Sequence, residues 1–166
     1  MESFKALEVL RQAGTGRFEP GSDAETAAID RFRSFFGEMK AEDIQQRVAQ
    51  TYAPDVFFND TLKTVRGLQH LQHYLRDSAE ASEAVRAEVV EVTRTGHDDY
   101  LLRWKMMIRF KRFAKGRDTW SIGMTHLRFD DAGRIAYQQD YWDAADALFQ
   151  YVPVLGWGIR AIKRRL

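Results

Sequence analysis

Cysteine is absent from the chain. That removes disulfides, thiol nucleophiles and Cys-ligated metals, and it fits a reducing compartment. An excess of charge of one sign is also missing. Against 25 Lys and Arg stand 24 Asp and Glu, a formal net charge of +1. Nucleic-acid-binding domains carry a clear cationic surplus, so no nucleic acid is expected as a partner. No apolar run approaches the ~18 residues of a spanning helix. The opening residues MESFKALEVLRQAG lack a basic stretch followed by an apolar one, so no secretory signal is read and a cytoplasmic location is expected. Internal repeats and low-complexity tracts are absent. So are a P-loop, a dinucleotide fingerprint, a nucleophile elbow and a Ser-His-Asp order. Phosphoryl and hydride transfer therefore have no support, and no cofactor is expected.

What is present is a regular alternation of helix and strand signals. Residues 1–21 read as a loosely attached leader with a short helix over 3–12, broken by Gly14, Gly16 and Pro20-Gly21. Ser22 or Asp23 can cap a helix that runs to about Gly37, with Ile29, Phe32, Phe35 and Phe36 at helical spacing. A second helix spans about 41–52, and Pro54 ends it. The segment DVFFND is a short strand ending in Asp60, and 63–66 can add another. Gly67 opens a third helix, LQHLQHYLRDSA. Residues 84–95 form a long strand. In the next, YLLRWKMMIRFKR, Tyr100, Leu102, Trp104, Met106, Ile108 and Phe110 alternate with polar positions, the mark of a half-buried strand. The segment 119–143 is a hairpin with a tight turn at Asp130–Gly133. A short helix, DAADALFQY, and a tail punctuated by Pro153, Gly156 and Gly158 follow. The expected fold is α+β, a cone made by a curved antiparallel sheet wrapped by three N-terminal helices. The domain spans 22–150, and 151–166 form a basic amphipathic tail.

The words YAPDVFFND, RGLQHLQHYL, HLRFDDAGRI and DYWD, in this order over roughly residues 24–149, resemble the nuclear transport factor 2-like superfamily. The branch is the SnoaL-like and ketosteroid isomerase-like one. The resemblance implies the cone fold and a pocket, whereas the same fold serves isomerases, cyclases, epoxide hydrolases and non-catalytic binders. It implies that Asp60 matches the general base of the steroid isomerases and Trp142 an aromatic of their pocket. Their acidic oxyanion donor falls on Thr125, and their first-helix Tyr has no counterpart in AIDRFRSFFG. The Arg and Asp two apart that the related limonene-epoxide hydrolases use are read on no strand.

Residues two apart on a strand share a face, so Gln138, Asp140 and Trp142 are expected to point together into the space the sheet encloses. Two carboxyls facing one apolar cavity are pushed apart in proton affinity, one serving as base and the other as acid. Asp60 and Asp140 are the candidates for that pair. Asp60 can equally be a cap for the turn at Thr61, and Asp140 an ion-pair partner of an Arg. Tyr52, Tyr74, Trp104, Met106, Thr125, Gln138 and Trp142 are the candidate ligand-binding residues, and Trp104, Met106 and Trp142 read equally well as core. His70 and His73 lie three apart on a helix but lack a third ligand, so no metal is expected. His126 should face away from Thr125. Asp23 and Glu25 read as solvated charges. The expected function is binding of a small hydrophobic molecule, with cofactor-free acid/base chemistry or, alternatively, carriage without chemistry or a protein-interaction role. A homodimer is expected through the apolar face of Trp120, Ile122 and Met124. The tail, residues 154–166, has the composition of a weak peripheral membrane helix, with docking of Trp157 over the cone's mouth as the alternative.

Overall fold

The structure is a computed structural model that describes residues 2–112, 114–152 and 155–165. Strand β4 (Tyr100–Phe110) alternates over its first half as the sequence predicts: Tyr100, Leu102 and Trp104 are buried, while Arg103 and Lys105 are exposed on the other face, where Met107 further along is buried. Those two cations pair across to Glu91 and Glu88 of β3 (Ser82–Arg94). On its other side β4 pairs with β5 (Asp118–Phe129), which turns into β6 (Ile135–Trp142). The turn is held by Asp130, whose Oδ1 accepts from the amides of Ala132 and Arg134 at 3.0 and 2.8 Å. Gly133 supplies the positive φ of 73° that the turn needs.

Strand β1 (Tyr52–Asn59) lies between β6 and the short β2 (Thr64–Arg66), giving the order β2-β1-β6-β5-β4-β3. The expected antiparallel sheet is antiparallel in every pairing but one, because β1 runs parallel to β6. The physical reason is connectivity. A hairpin forces neighbours to run in opposite directions, whereas β1 and β6 are joined through four intervening strands and a helix.

Three helices cover one face of the sheet: α2 (Asp23–Gly37), α3 (Ile44–Thr51) and α4 (Leu68–Glu80). Ser22 caps α2 by accepting from the Glu25 amide at 3.2 Å. Of the predicted stripe of α2, Phe32, Phe35 and Phe36 are buried and Ile29 half-buried, and Ala28 is buried beside them. These meet Ile44 and Val48 of α3, Leu71 of α4, and Leu102, Leu127, Phe129 and Ile135 of the sheet in one core. Glu25 departs from its expected solvated role. It is buried and accepts from the Tyr100 hydroxyl at 2.6 Å and from Arg94 at 2.9 Å. Burial raises its pKa, but these bonds and that of the Gly21 amide outweigh burial and leave it lowered.

Of the segment read as a leader, residues 1–21, the helix lies against the opposite face of the sheet, while Phe18 packs with Phe129 into the main core. Helix α1 (Glu2–Ala13) buries Leu7 against Phe57 and Tyr137, and its Arg11 bonds Asp99. Gly16 lies so close to β5 that an added Cβ would stand 2.0 Å from the Phe129 carbonyl oxygen. The predicted helix over DAADALFQY is split into α5 (Ala144–Ala147) and a 3-10 turn (Phe149–Tyr151), and α6 (Leu155–Lys163) follows. Of the tail, Pro153, Val154 and Leu166 lie outside the described residues.

Candidate active site

Between α2, α4 and the concave face of the sheet lies a cavity of about 300 Å³. Its wall is mainly apolar, with Phe36, Met39, Phe58, Leu75, Val85, Ile108, Phe110 and Leu148 contributing. Tyr52, Asp60, Tyr74, Trp104, Met106, Gln138, Asp140 and Trp142 line it as well, so eight of the nine sequence candidates share one space. The ninth, Thr125, stands one layer back. It is fully buried and touches Asp140 and Trp104. Among the described lining residues there is no Lys, Arg or His, so the only charges at the wall are carboxylates.

The two carboxyls are held in different ways. Asp140 sits on β6 directly opposite Thr125 of β5, and the Thr125 hydroxyl donates to its Oδ1 at 2.6 Å. The Gln138 amide donates to Oδ1 and Oδ2 at 3.0 and 3.1 Å, as their shared strand face requires. Each donor is itself held. Trp104 Nε1 donates to the Thr125 oxygen at 2.8 Å, and the Tyr52 hydroxyl donates to the Gln138 carbonyl at 2.9 Å. Burial pushes the Asp140 pKa up to about 7. The bonds from Thr125 and Gln138 oppose that rise, and the charge of Asp60 adds to it. A carboxyl in this state can give or take a proton near neutrality.

Asp60 combines both sequence readings. Its Oδ1 accepts from the amides of Leu62 and Lys63 at 3.1 and 2.9 Å, closing the β1–β2 turn in which Thr61 takes a φ of 72°. Its Oδ2 accepts a short bond from the Tyr74 hydroxyl, whose pKa is raised by burial and then by that bond. Trp142 donates from its indole to the Asp60 carbonyl at 2.7 Å, which ties the end of β6 to the end of β1. Asp140 is thus not an ion-pair partner of an Arg.

The indole of Trp104 reaches Thr125 because Gly123, its neighbour across β4 and β5, has no side chain. A Cβ there would lie 2.3 Å from the Trp104 ring. This glycine, Phe36 of α2 and Met39 just beyond it were not singled out as site residues from sequence, although Phe36 was placed on the apolar stripe of its helix.

The remaining candidates lie elsewhere. His70 contacts the Arg66 carbonyl and His73 contacts Arg76, both on the exposed side of α4. Among the described residues no group of three or more His, Asp or Glu is placed to hold a metal ion. His126 faces the opposite side of the sheet from Thr125 and contacts Asp99 at 3.0 Å. No described strand carries an Arg and an Asp two apart, as expected: Arg128 lies on β5, but Asp130, two residues on, falls beyond its end. They form no pocket pair, because Asp130 holds the turn and Arg128 bonds Asp99 on the far face.

The fold recurs among solved structures. An epoxide hydrolase resembling limonene-epoxide hydrolase from M. tuberculosis is 16% identical, with 89% of this chain and all of that one covered and a TM-score of 0.60. A proposed SnoaL-like polyketide cyclase from Shewanella denitrificans OS-217 is 19% identical over 75% of this chain and 94% of the other, with a TM-score of 0.62. A protein of ketosteroid isomerase-like fold from Catenulispora acidiphila, solved with trimethylamine, is 15% identical over 73% and 88%, also at 0.62. These identities speak for the fold alone. No curated protein matches the chain. The model of the SnoaL-like domain matches residues 23–138, from the first turn of α2 to the glutamine that holds Asp140, and the chain belongs to the SnoaL-like domain family.

Proposed function

We propose that the protein binds a small, uncharged hydrophobic molecule in this cavity and carries out cofactor-independent acid/base chemistry on it, as an isomerase, cyclase or hydrolase. One observation carries the proposal: Asp140 is buried in a complete hydrogen-bond network, with a pKa near 7, in the same cavity as Asp60. Asp60 is the base and Asp140, in its protonated form, the acid. In an isomerisation or cyclisation, Asp60 takes a proton from a carbon beside a carbonyl. Asp140 donates a hydrogen bond to the oxygen on which negative charge develops. In epoxide hydrolysis the same pair divides differently. Asp60 takes a proton from the attacking water, and Asp140 gives one to the opening ring oxygen. The similarity in fold to an epoxide hydrolase and a proposed polyketide cyclase supports either version.

A second reading is favoured by the tyrosines. Both hydroxyls at the wall already donate within the protein, Tyr52 to Gln138 and Tyr74 to Asp60. A cavity whose donors are satisfied suits a carrier of apolar molecules equally well. The two readings separate in one experiment. Purified protein is assayed against a panel of small epoxides, unsaturated ketones and poly-β-ketone mimics. The assay is repeated with Asp60→Asn and Asp140→Asn. Turnover lost by more than about a hundredfold with ligand affinity retained supports catalysis. No turnover by any form, with the same co-purifying molecule seen by native mass spectrometry in all three, establishes the carrier.

We further propose a homodimer. Trp120, Ile122, Met124 and Tyr141 form an exposed apolar strip on the face of the sheet that α1 leaves open. Isolated chains rarely present such a strip to water.

A further inference from the structure

We infer that α6 and the two residues after it dock the domain onto an anionic lipid surface. Helix α6 turns Gly156, which is buried, and Ile159, which is half-buried, towards the rest of the chain. Trp157 and Ile162 point the other way, 70% and 62% exposed. At 100° per residue the outward arc from Trp157 to Ile162 also contains the half-buried Gly158 and Ala161, so this side of α6 carries two exposed large apolar side chains and no charge. Trp157 therefore does not plug the mouth of the cone, the alternative raised by the sequence. Leu148 takes part in that wall instead.

The charge at the C-terminal end of the helix identifies the partner. Arg160, Lys163, Arg164 and Arg165 follow one another with no Asp or Glu anywhere in residues 155–165. Lys163, Arg164 and Arg165 are exposed. An indole prefers the water–hydrocarbon boundary, and clustered cations prefer the anionic headgroups just outside it. A protein partner fits less well. A nine-residue helix is about 14 Å long, and two large side chains on it cannot supply the roughly 800 Å² per partner of a stable protein interface. A lipid surface needs no such area, because it presents many headgroups at once. No helix among the described residues is long and apolar enough to cross a membrane, so the contact is a surface one. The position of α6 also matters. It is joined through the turn Phe149–Tyr151 to Leu148, which lines the cavity, so docking would hold the wall segment at 148 close to the lipid.

The test uses the full chain and vesicles of phosphatidylcholine, with or without about a third phosphatidylserine. Co-sedimentation at low salt is compared for wild type, for Trp157→Glu with Ile162→Glu, for Lys163→Gln with Arg164→Gln and Arg165→Gln, and for Val9→Glu, an exposed apolar site on α1. Wild type should pellet with the anionic vesicles, and about 0.5 M salt should release it. Each basic residue contributes roughly fivefold in partitioning, so the triple variant should bind at least about tenfold more weakly, and the double variant likewise. Val9→Glu should bind as wild type does. Brominated lipid should quench wild-type fluorescence more than that of Trp157→Phe, a readout that holds even if a charged variant folds poorly. Absence of pelleting at low salt overturns the inference. So does equal pelleting by the double and triple variants with unchanged quenching in Trp157→Phe, which would move the contact to another surface. Self-association that the α6 variants abolish, without vesicle binding by wild type, would assign the helix to a second copy and also overturn it.

Discussion

Thr125 and Asp140 face each other across β5 and β6, and the hydroxyl of the first donates to the carboxyl of the second at 2.6 Å with both side chains out of water. The same hydroxyl accepts from Trp104 at 2.8 Å. A threonine thus links an aromatic of the core to the carboxyl of the cavity, and it opposes what burial alone would do to that carboxyl.

Thr125→Val keeps the shape and removes the bond. It leaves the Trp104 N–H buried without an acceptor, a cost of about 1–3 kcal/mol in unfolding free energy. It also removes one of the two donor side chains that favour the ionised carboxylate, so the Asp140 midpoint should rise above its value of about 7. Carboxyl carbon NMR titration reads the midpoint directly. An unmoved midpoint refutes the assigned role.

Asp140 also predicts a pH dependence of stability. Its pKa is raised in the folded state, so between about pH 4 and pH 7 the folded chain keeps a proton that the unfolded chain has released. Stability from this group is therefore greatest at low pH and falls as pH rises towards 7. From about pH 5 to pH 8 the loss should be roughly 2–3 kcal/mol, taking 1.36 kcal/mol per unit. Asp140→Asn should lack this decline. Urea unfolding of both proteins across the range compares them, and parallel pH profiles would contradict the assignment.

Gly123→Ala should disturb the site without touching a polar atom. The new methyl group would meet the Trp104 ring at 2.3 and 2.5 Å, and the indole must move away from Thr125 to admit it. Overpacking of this kind costs about 1–3 kcal/mol. A lower melting temperature together with a shifted tryptophan emission is the expected result.

On the far face, Asp99 receives Arg11, Arg128 and His126, and neither it nor Arg128 is open to water. Burial would raise its pKa, but the bonds from these three hold it down at about 2. Stability from Asp99 is therefore complete above about pH 4 and lost as pH falls towards 2. Arg128→Met leaves the buried carboxylate without its one fully buried cation and should cost about 3–5 kcal/mol. A variant as stable as wild type in urea would show that Arg11 and His126 suffice.

Ile122 is the most exposed large apolar side chain of the strip proposed to pair two copies, at 77%. Ile122→Glu should turn a dimer into a monomer in sedimentation velocity at micromolar concentration, with its fold unchanged. A monomeric wild type would dispose of the pairing.

The helices α2, α3 and α4, the alternating strand β4 and the hairpin β5–β6 were legible because each is a local pattern. A period of 3.6 or 2 together with a turn chemistry identifies such an element without reference to the rest of the chain. The same parity put Gln138, Asp140 and Trp142 on one face, and the family words added Asp60. Local periodicity does not report which elements become neighbours. The parallel pairing of β1 with β6, the burial of Glu25 beneath Tyr100 and Arg94, and the closure of α1 over Asp99 join residues 69 to 88 positions apart. They depend on charges that look solvated in the sequence, since an exposed and a buried carboxylate are the same letter. The depth of Thr125 behind Asp140 likewise required knowing that Gly123 admits the Trp104 ring. Sequence by itself determined the elements and the face each side chain takes. Tertiary structure alone decided which polar groups lost their water, and with it the proton affinity of Asp140, because desolvation is a property of the assembled walls and not of any residue within them.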